Sequence, residues 1–282
     1  MVQTSLESSM VEKSNTIVVI VTYNPSIIIQ YLVEQCRLFA FRIIVVDNGS
    51  EIIPKCEDSD LLISDRNKGI AWALNTGIHY ALRYSPKYII TFDQDSIPAT
   101  NILEAYNAIL KDFGSSVGLI SGGFALQSSE VDFPIRYKDS INLITSGMLH
   151  NVEIFKKVGL YEEKLFIDSV DFDFVMRVHK AGFSTIQIQN DIIKHKIGDP
   201  LSKRILGIMV TSSNHNEVRR YYQARNLVYL TRKYGLYYPR QILNFNYYYY
   251  FKILPKMCLV ERPLLNKLKA TLKGLRDGLF FR

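Results

Sequence analysis

Four apolar runs in the first third of the chain each stop abruptly at a polar cluster, and three of those clusters lead directly into a helical pattern. The first run, residues 16–22 (TIVVIVT), is β-branched throughout and ends at Tyr23-Asn24-Pro25, where proline cannot continue a central strand. A run apolar on both faces is the mark of a strand covered on both sides, as in parallel sheets. Ile28, Leu32, Cys36 and Phe39 then follow at helical spacing. The second run, Ile43 to Val46, breaks at Asp47-Asn48-Gly49-Ser50, and Leu61 to Ile63 leads to Ser64-Asp65-Arg66-Asn67-Lys68-Gly69. Helical spacing returns at Ala71, Leu74, Ile78 and Leu82, and Tyr88 to Phe92 runs into Asp93-Gln94-Asp95 before a helix over 99–112. This alternation predicts an α/β fold with a mostly parallel, doubly wound sheet. In such sheets ligands bind beyond the carboxyl ends of the strands, where these polar clusters fall.

After residue 113 the pattern turns to mixed strands and loops. Val117 to Ser121, Asn142 to Ser146, Ser184 to Gln189 and Asp191 to His195 read as strands; a helix leads from Asp173 to Ala181 with Gly182 as its stop, and 215–235 reads as a long helix. The expected division is a polar tail at 1–15, a body at 16–202 with halves 16–112 and 113–202, and a helical extension at 203–282. Charge marks that extension. Of 34 lysines and arginines, 16 lie in 203–282 beside three acids, Glu217, Glu261 and Asp277, so the net +7 of the chain resides there and the remainder is acidic. A basic segment seeks phosphates. No nucleic-acid reader motif is present, so nucleic acid is not an expected partner. The aromatics of Tyr247 to Phe251, with Lys252, Lys267, Lys269, Lys273, Arg276, Phe280 and Phe281, suit a membrane interface and equally a solvated helix packed on the body.

No stretch reaches the roughly 18–20 apolar residues of a spanning helix, and residues 1–15 carry no apolar core of a secretory signal, so a cytoplasmic protein, peripheral on the membrane, is expected. Cys36, Cys56 and Cys258 are odd in number and without metal-ligand spacing, which predicts neither disulfides nor zinc. Neither GxGxxG nor a Walker loop follows the first strand.

Two acidic clusters carry the chemistry. Asp93 and Asp95, one residue apart at a strand end, can share a hard divalent cation, Mg²⁺ or Mn²⁺, with substrate phosphates; standing alone, they read more readily as a capped turn. Asp168, Asp171 and Asp173 stand in an otherwise apolar run, where burial without a partner is costly, so one of them is expected to be chemically engaged as a general base, with an N-cap at Asp171 the plain alternative. His195 follows the last strand and can complete the metal site or remain structural. Arg219 and Arg225 can close over a diphosphate or line a solvated helix.

The chain resembles the family 2 glycosyltransferases of the GT-A nucleotide-sugar fold, in their rhamnosyltransferase-like branch. The resemblance spans about Ile17 to Asn226 and rests on the order of Val21-Thr22-Tyr23-Asn24, Val45 to Ser50, Asn67-Lys68-Gly69-Ile70-Ala71 with Asn75 and Gly77, Phe92 to Ser96, Ser146-Gly147, and Leu165 to Asp173 with Arg177. It implies that 16–112 is a nucleotide-binding half and 113–202 an acceptor half. Thr22, Tyr23 and Asp47, with Asn24 and Asn48 beside them, would hold a pyrimidine and ribose. Asp65, Asn67, Lys68 and Gly69 would line the nucleotide and its diphosphate, Asp93 would meet ribose or metal, and Asp95 the metal. Asp171 matches the catalytic acid position, although the usual Glu-Asp pair is Val170-Asp171 here. The implied reaction is metal-dependent inverting transfer of a sugar, such as L-rhamnose from dTDP-rhamnose, to a saccharide or polyprenyl-diphosphate-linked acceptor in cell-surface polysaccharide synthesis. A UDP-hexose donor, a nucleotidyltransferase and a catalytically silent membrane- or polyanion-binding module stay open as alternatives, as does a second copy of the chain as partner.

Overall fold

The computed structural model describes residues 10–25, 28–125, 129–195, 200–205 and 207–281. Strand β1 (Thr16–Thr22) is buried at every position and pairs in parallel with β2 (Arg42–Asp47) and β4 (Tyr88–Asp93), while β2 pairs in parallel with β3 (Asp60–Ile63). Its alternate residues feed two layers. Val18 and Ile20 join Leu32, Val33 and Cys36 of α1 (Ile28–Arg37) in the main core. On the other face Val19 meets α2 (Ile70–Leu82), which approaches so closely that a Cβ on Gly77 would lie 2.3 Å from the Val19 side chain. Each fully buried aliphatic of this kind contributes about 1.5–3 kcal/mol.

The parallel register stops at β4. Past β5 (Ser96–Pro98) and α3 (Ile102–Phe113), the chain forms β6 (Val117–Ala125), β7 (Tyr137–Asp139), β8 (Met148–Asn151), α4 (Glu153–Val158), α5 (Val170–Lys180) and β9 (Ser184–His195). The nine-stranded sheet runs β3-β2-β1-β4-β8-β6-β9-β5, with β7 added on β9. β8 is antiparallel to both β4 and β6, and β9 is parallel to β6 but antiparallel to β5 and β7. The second half is therefore mixed. The strand expected at Asn142–Ser146 is instead a loop, and the strand begins at Met148. The loop's polar groups are taken elsewhere, since Thr145 O accepts from Thr91 Oγ1 at 2.6 Å and Gly147 N–H donates to Thr91 O at 2.7 Å.

The chain folds as two compact units, Met1–Phe166 with Val170–Lys196, and Ile167–Ser169 with Ile197–Arg282. The three-residue excursion of Ile167–Ser169 is one that no linear division of the sequence expresses. The second unit holds the hairpin β10 (Leu201–Ile205) and β11 (Ile208–Ser212), then α6 (Glu217–Tyr234), α7 (Pro239–Tyr248), a π-helical turn (Tyr249–Ile253), α8 (Leu254–Val260) and α9 (Leu264–Phe280). Helices α6 and α9 pack backbone to backbone: a Cβ on Gly274 would stand 2.3 Å from Tyr221 O, and one on Gly278 2.7 Å from Arg225 O. Among the described residues no helix is long and apolar enough to cross a membrane.

Candidate active site

Strand pairing alone brings the first polar clusters together. Thr22 lies opposite Asp47, Val21 opposite Asp93, and Asp47 opposite Ile63, so the carboxyl ends of β3, β2, β1 and β4 form one rim. With neighbouring strands about 4.8 Å apart, Asp47 and Asp93 sit on backbones about 10 Å from each other across that rim.

Asp47, only 1% exposed, organises the turn that follows it. It accepts from Thr22 Oγ1 (3.2 Å), Ser50 N–H (3.0 Å) and Ser50 Oγ (2.5 Å), while Ser50 Oγ also accepts from Asn24 N–H at 2.7 Å. Asn24 Oδ1 in turn receives the Glu51 amide at 2.9 Å. In the sequence Ser50 stands only as part of a motif; its linking role comes from the turn geometry. Gly49 has φ +83°, and a Cβ there would lie 2.2 Å from the Arg66 carbonyl carbon, so glycine is required where the β2 turn touches the next loop. Across that contact Asn48 Oδ1 accepts the Lys68 amide (3.0 Å) and Asn67 Oδ1 accepts the Gly69 amide (3.0 Å). Lys68 pairs with Asp65 at 2.6 Å and lies over the Trp72 ring; its hydrogen bond holds the Asp65 carboxyl below its usual value. Tyr23 leaves its ring exposed, and its N–H donates to Gln94 Oε1 at 2.8 Å.

Asp93 is half-buried and Asp95 exposed. The Asp93 amide donates to Ser146 Oγ (3.1 Å), which donates to Ser96 Oγ (2.7 Å), and Gly147 takes φ +65° so that its carbonyl can accept from Tyr106. The Ser146-Gly147 loop thus clamps the acidic turn. His195 ends β9 with its backbone opposite Ser96; its side chain lies outside those described. Among the described residues no three His, Cys, Asp or Glu side chains converge as a metal cage. Two strand-end carboxylates fit a cation that takes its other ligands from a diphosphate.

The second acidic cluster separates into three environments. Asp173 is fully buried and accepts from Arg177 Nε at 2.9 Å, while Arg177 also donates to the carbonyls of Val158 (2.6 Å) and Leu160 (2.7 Å). Through Arg177, Asp173 holds α5 to the preceding turn. Asp168 belongs to the second unit, where Arg219 Nε and Nη2 grip its carboxylate at 3.1–3.2 Å and Asn226, fully buried, donates to the carbonyls of Ile167 (2.9 Å) and Asp168 (2.7 Å). Phe166, Asp168 and Ser169 all have positive φ (64°, 61° and 66°), a strained run immediately before α5. Arg225 is buried in the second unit over the rings of Tyr222 (4.6 Å) and Phe281 (4.0 Å) and donates to Asn226 Oδ1. Asp171, in the first turn of α5, is half-buried and accepts the Phe172 amide at 2.9 Å.

The charges of Asp171 and Asp93 both act on the buried hydroxyl of Tyr161. Burial first, then the charge of Asp171 and in smaller measure that of Asp93, drive its hydroxyl far above the ordinary phenol value, against the opposing charge of Arg177. Sequence reasoning did not find Tyr161, nor His150 beneath it. His150 is fully buried; Nδ1 donates to Ile89 O at 3.1 Å, since a carbonyl cannot donate, and Nε2 is left to accept from the Tyr161 hydroxyl at 2.7 Å. Burial pushes His150 down to about 4 from 6.5. The unfolded chain then binds a proton the folded protein refuses. The stability from this group is complete above pH 6.5, falls as pH drops, and by pH 5 has lost about 2 kcal/mol. Denaturant titrations at pH 8 and pH 5 should show this loss in the natural protein and a smaller one in His150→Gln; equal losses refute the assignment.

A separate cleft at the amino-terminal edge of the strands is lined by Lys13, Arg37, Arg42, Asp58 and Asp60, but Arg37 pairs with Asp58 and Arg42 with Asp60. It lies at the wrong end of a parallel sheet for helix-start chemistry.

The fold is that of the GT-A glycosyltransferases. Over 94% of this chain, S. aureus TarS superposes with a TM-score of 0.62 at 14% identity, the match covering 49% of that chain; TarS 1-349 in complex with UDP-GlcNAc gives 0.60 at 13% identity over 94% of this chain and 80% of that one. GalNAc-T7 with UDP, GalNAc and Mn²⁺ gives 0.51 at 14% identity, covering 76% of this chain and 50% of that one. Residues 17–125 match the profile described as Glycosyl transferase family 2, and the dTDP-rhamnosyl transferase RfbF of Shigella flexneri is 30% identical over 243 residues, 78% of this chain and 81% of that protein. The chain belongs to glycosyl transferase family 2, among its rhamnosyltransferase-like members.

Proposed function

We propose that the protein transfers L-rhamnose from dTDP-rhamnose, with inversion, to a hydroxyl of a saccharide or lipid-linked saccharide acceptor used in cell-surface polysaccharide, working on the cytoplasmic face of the membrane. The observation that carries the donor is the 30% identity to a dTDP-rhamnosyl transferase along most of both chains. The rim supplies the chemistry. Asp47 has about four lone-pair sites and spends three within the protein, leaving one for the imide N–H of a pyrimidine, while the exposed Tyr23 ring offers a stacking face. Asn67, Lys68 and Gly69 stand beside Asn48 to line the diphosphate, and Asp93 and Asp95 are the residues that would hold Mg²⁺ or Mn²⁺. A divalent cation bound there supplies charge stabilisation to the departing diphosphate. Asp171 removes the proton from the acceptor hydroxyl as it attacks the anomeric carbon, and the leaving diphosphate needs no proton in return.

Thermal-shift measurements with dTDP-rhamnose, dTDP-glucose, UDP-glucose and UDP-GlcNAc, each with and without Mn²⁺, test this reading. A ligand at 100 times its Kd stabilises by about 2.7 kcal/mol. dTDP-rhamnose with Mn²⁺ is expected to give the largest shift, and Asp95→Asn to erase the metal-dependent part while leaving the melting point of the free protein in place. A larger shift with a UDP-hexose would reassign the donor, and no shift with any nucleotide sugar would defeat the proposal.

A further inference from the structure

The outward side of α9 carries a row of exposed leucines. Its inward residues are Lys267, Thr271, Gly274 and Gly278, all buried. On its exposed side Leu265, Leu272 and Leu279 recur every seven residues at 71%, 65% and 58% exposure, which places them in one row along a helix about 25 Å long. Beside that row, within the same half of the helix, stand the exposed Lys269, Lys273 and Arg276 and the Phe280 ring. Leaving three leucines in water at heptad spacing is a cost that a covered surface removes.

The charge decides what covers it. A second copy of the chain pairing along the leucine row would set like-charged ridges against each other, because Asp277 is already bonded to Arg276 and Tyr221 and no other acid lies in α9. The complement is a surface that is apolar and negative together, without a fixed pattern of acceptors. Exposed Tyr247, stacked at 5.2 Å on the Phe251 ring in the same unit, adds an amphipathic ring suited to head-group depth.

We infer that the leucine and lysine side of α9 docks on an anionic lipid bilayer, holding the protein peripherally with the helix lying in the plane of the interface. This deepens the membrane setting of the proposed reaction but does not depend on the donor.

Flotation of the full chain with phosphatidylcholine vesicles, with and without 30% phosphatidylglycerol, is the test. The natural protein should float only with anionic vesicles and should be released as salt rises. Lys269→Gln with Lys273→Gln should weaken binding by about fivefold per charge removed. The Leu265→Gln, Leu272→Gln, Leu279→Gln triple variant should no longer float, although its melting point is unchanged because these side chains are exposed. Retained flotation of the triple variant overturns the inference. So does failure of the natural protein to bind vesicles, including the case where sedimentation shows a dimer that the triple variant loses. The dTDP-rhamnose thermal shift, read on the same variants, should not move, which separates failure here from failure of the proposed transfer.

Discussion

Asp171→Asn is expected to lower sugar transfer by about a thousandfold while leaving donor-induced thermal shifts intact. The magnitude is that of removing a positioned general base, and asparagine keeps the shape and the hydrogen bond that Asp171 accepts from the Phe172 amide. The effect should appear in kcat, because the acceptor proton is removed only as the bond to the anomeric carbon forms. Assays of transfer and of donor binding on one preparation check it. Near-normal transfer by the variant would move the base elsewhere.

The neighbouring acids make that result interpretable. Asp173→Asn leaves Arg177 facing an uncharged partner in a buried site, so its expected signature is a lower melting point. Asp168→Asn loses the charge held by Arg219, but the carbonyls of residues 167 and 168 still receive the Asn226 amide, so the strained run before α5 keeps its anchor. An effect on transfer without an effect on donor binding or stability is therefore expected of Asp171 alone among the three.

The parallel half of the sheet was legible because each strand there is an apolar run, β-branched or aromatic and aliphatic, with its polar turn at the correct end. β1 is the clearest instance. What escaped was set by partners distant in sequence. The loop at 142–146 has the composition of a strand, yet Thr91 takes its carbonyl and β8 starts only after Gly147 turns the chain. Asp173 and Arg177 stand four residues apart, a spacing that suits a helical ion pair, but the burial that makes the pair structural depends on α4 and the carbonyls after it. The left-handed backbone at Phe166, Asp168 and Ser169 has no glycine to announce it. Arg225 reads by type as a diphosphate ligand or part of a solvated helix, and the aromatics around it include Phe281, 56 residues away.

The largest effect on stability is expected from Glu261→Ala. Glu261 is fully buried in the second unit and pairs with two cations, Arg220 and, at 2.9 Å, Lys267, which are themselves only 1% and 4% exposed. It also accepts from Ser212 Oγ and from the Asn214 amide at 3.1 Å. The cluster is already short of acceptors, since Arg220 Nε is buried without a hydrogen-bond partner. Removing the carboxylate strands two charges, and breaking such a pair costs about 3–5 kcal/mol, a large part of the 5–15 kcal/mol that holds an ordinary domain together. Glu261→Gln keeps an acceptor for Ser212 and Asn214 and should lie between. Burial acts to raise the Glu261 carboxyl, but the hydrogen bonds from Ser212 and Lys267 and the charge of Arg220 outweigh it and hold it below 4.5. A depressed carboxyl contributes fully above its unfolded value and loses that contribution as pH falls through the folded one. Denaturant unfolding from pH 7 to pH 3 should therefore show a steep loss below about pH 4.5 in the natural protein that is missing from Glu261→Gln; matching acid limbs would mean that the carboxylate is not what holds the two cations in place.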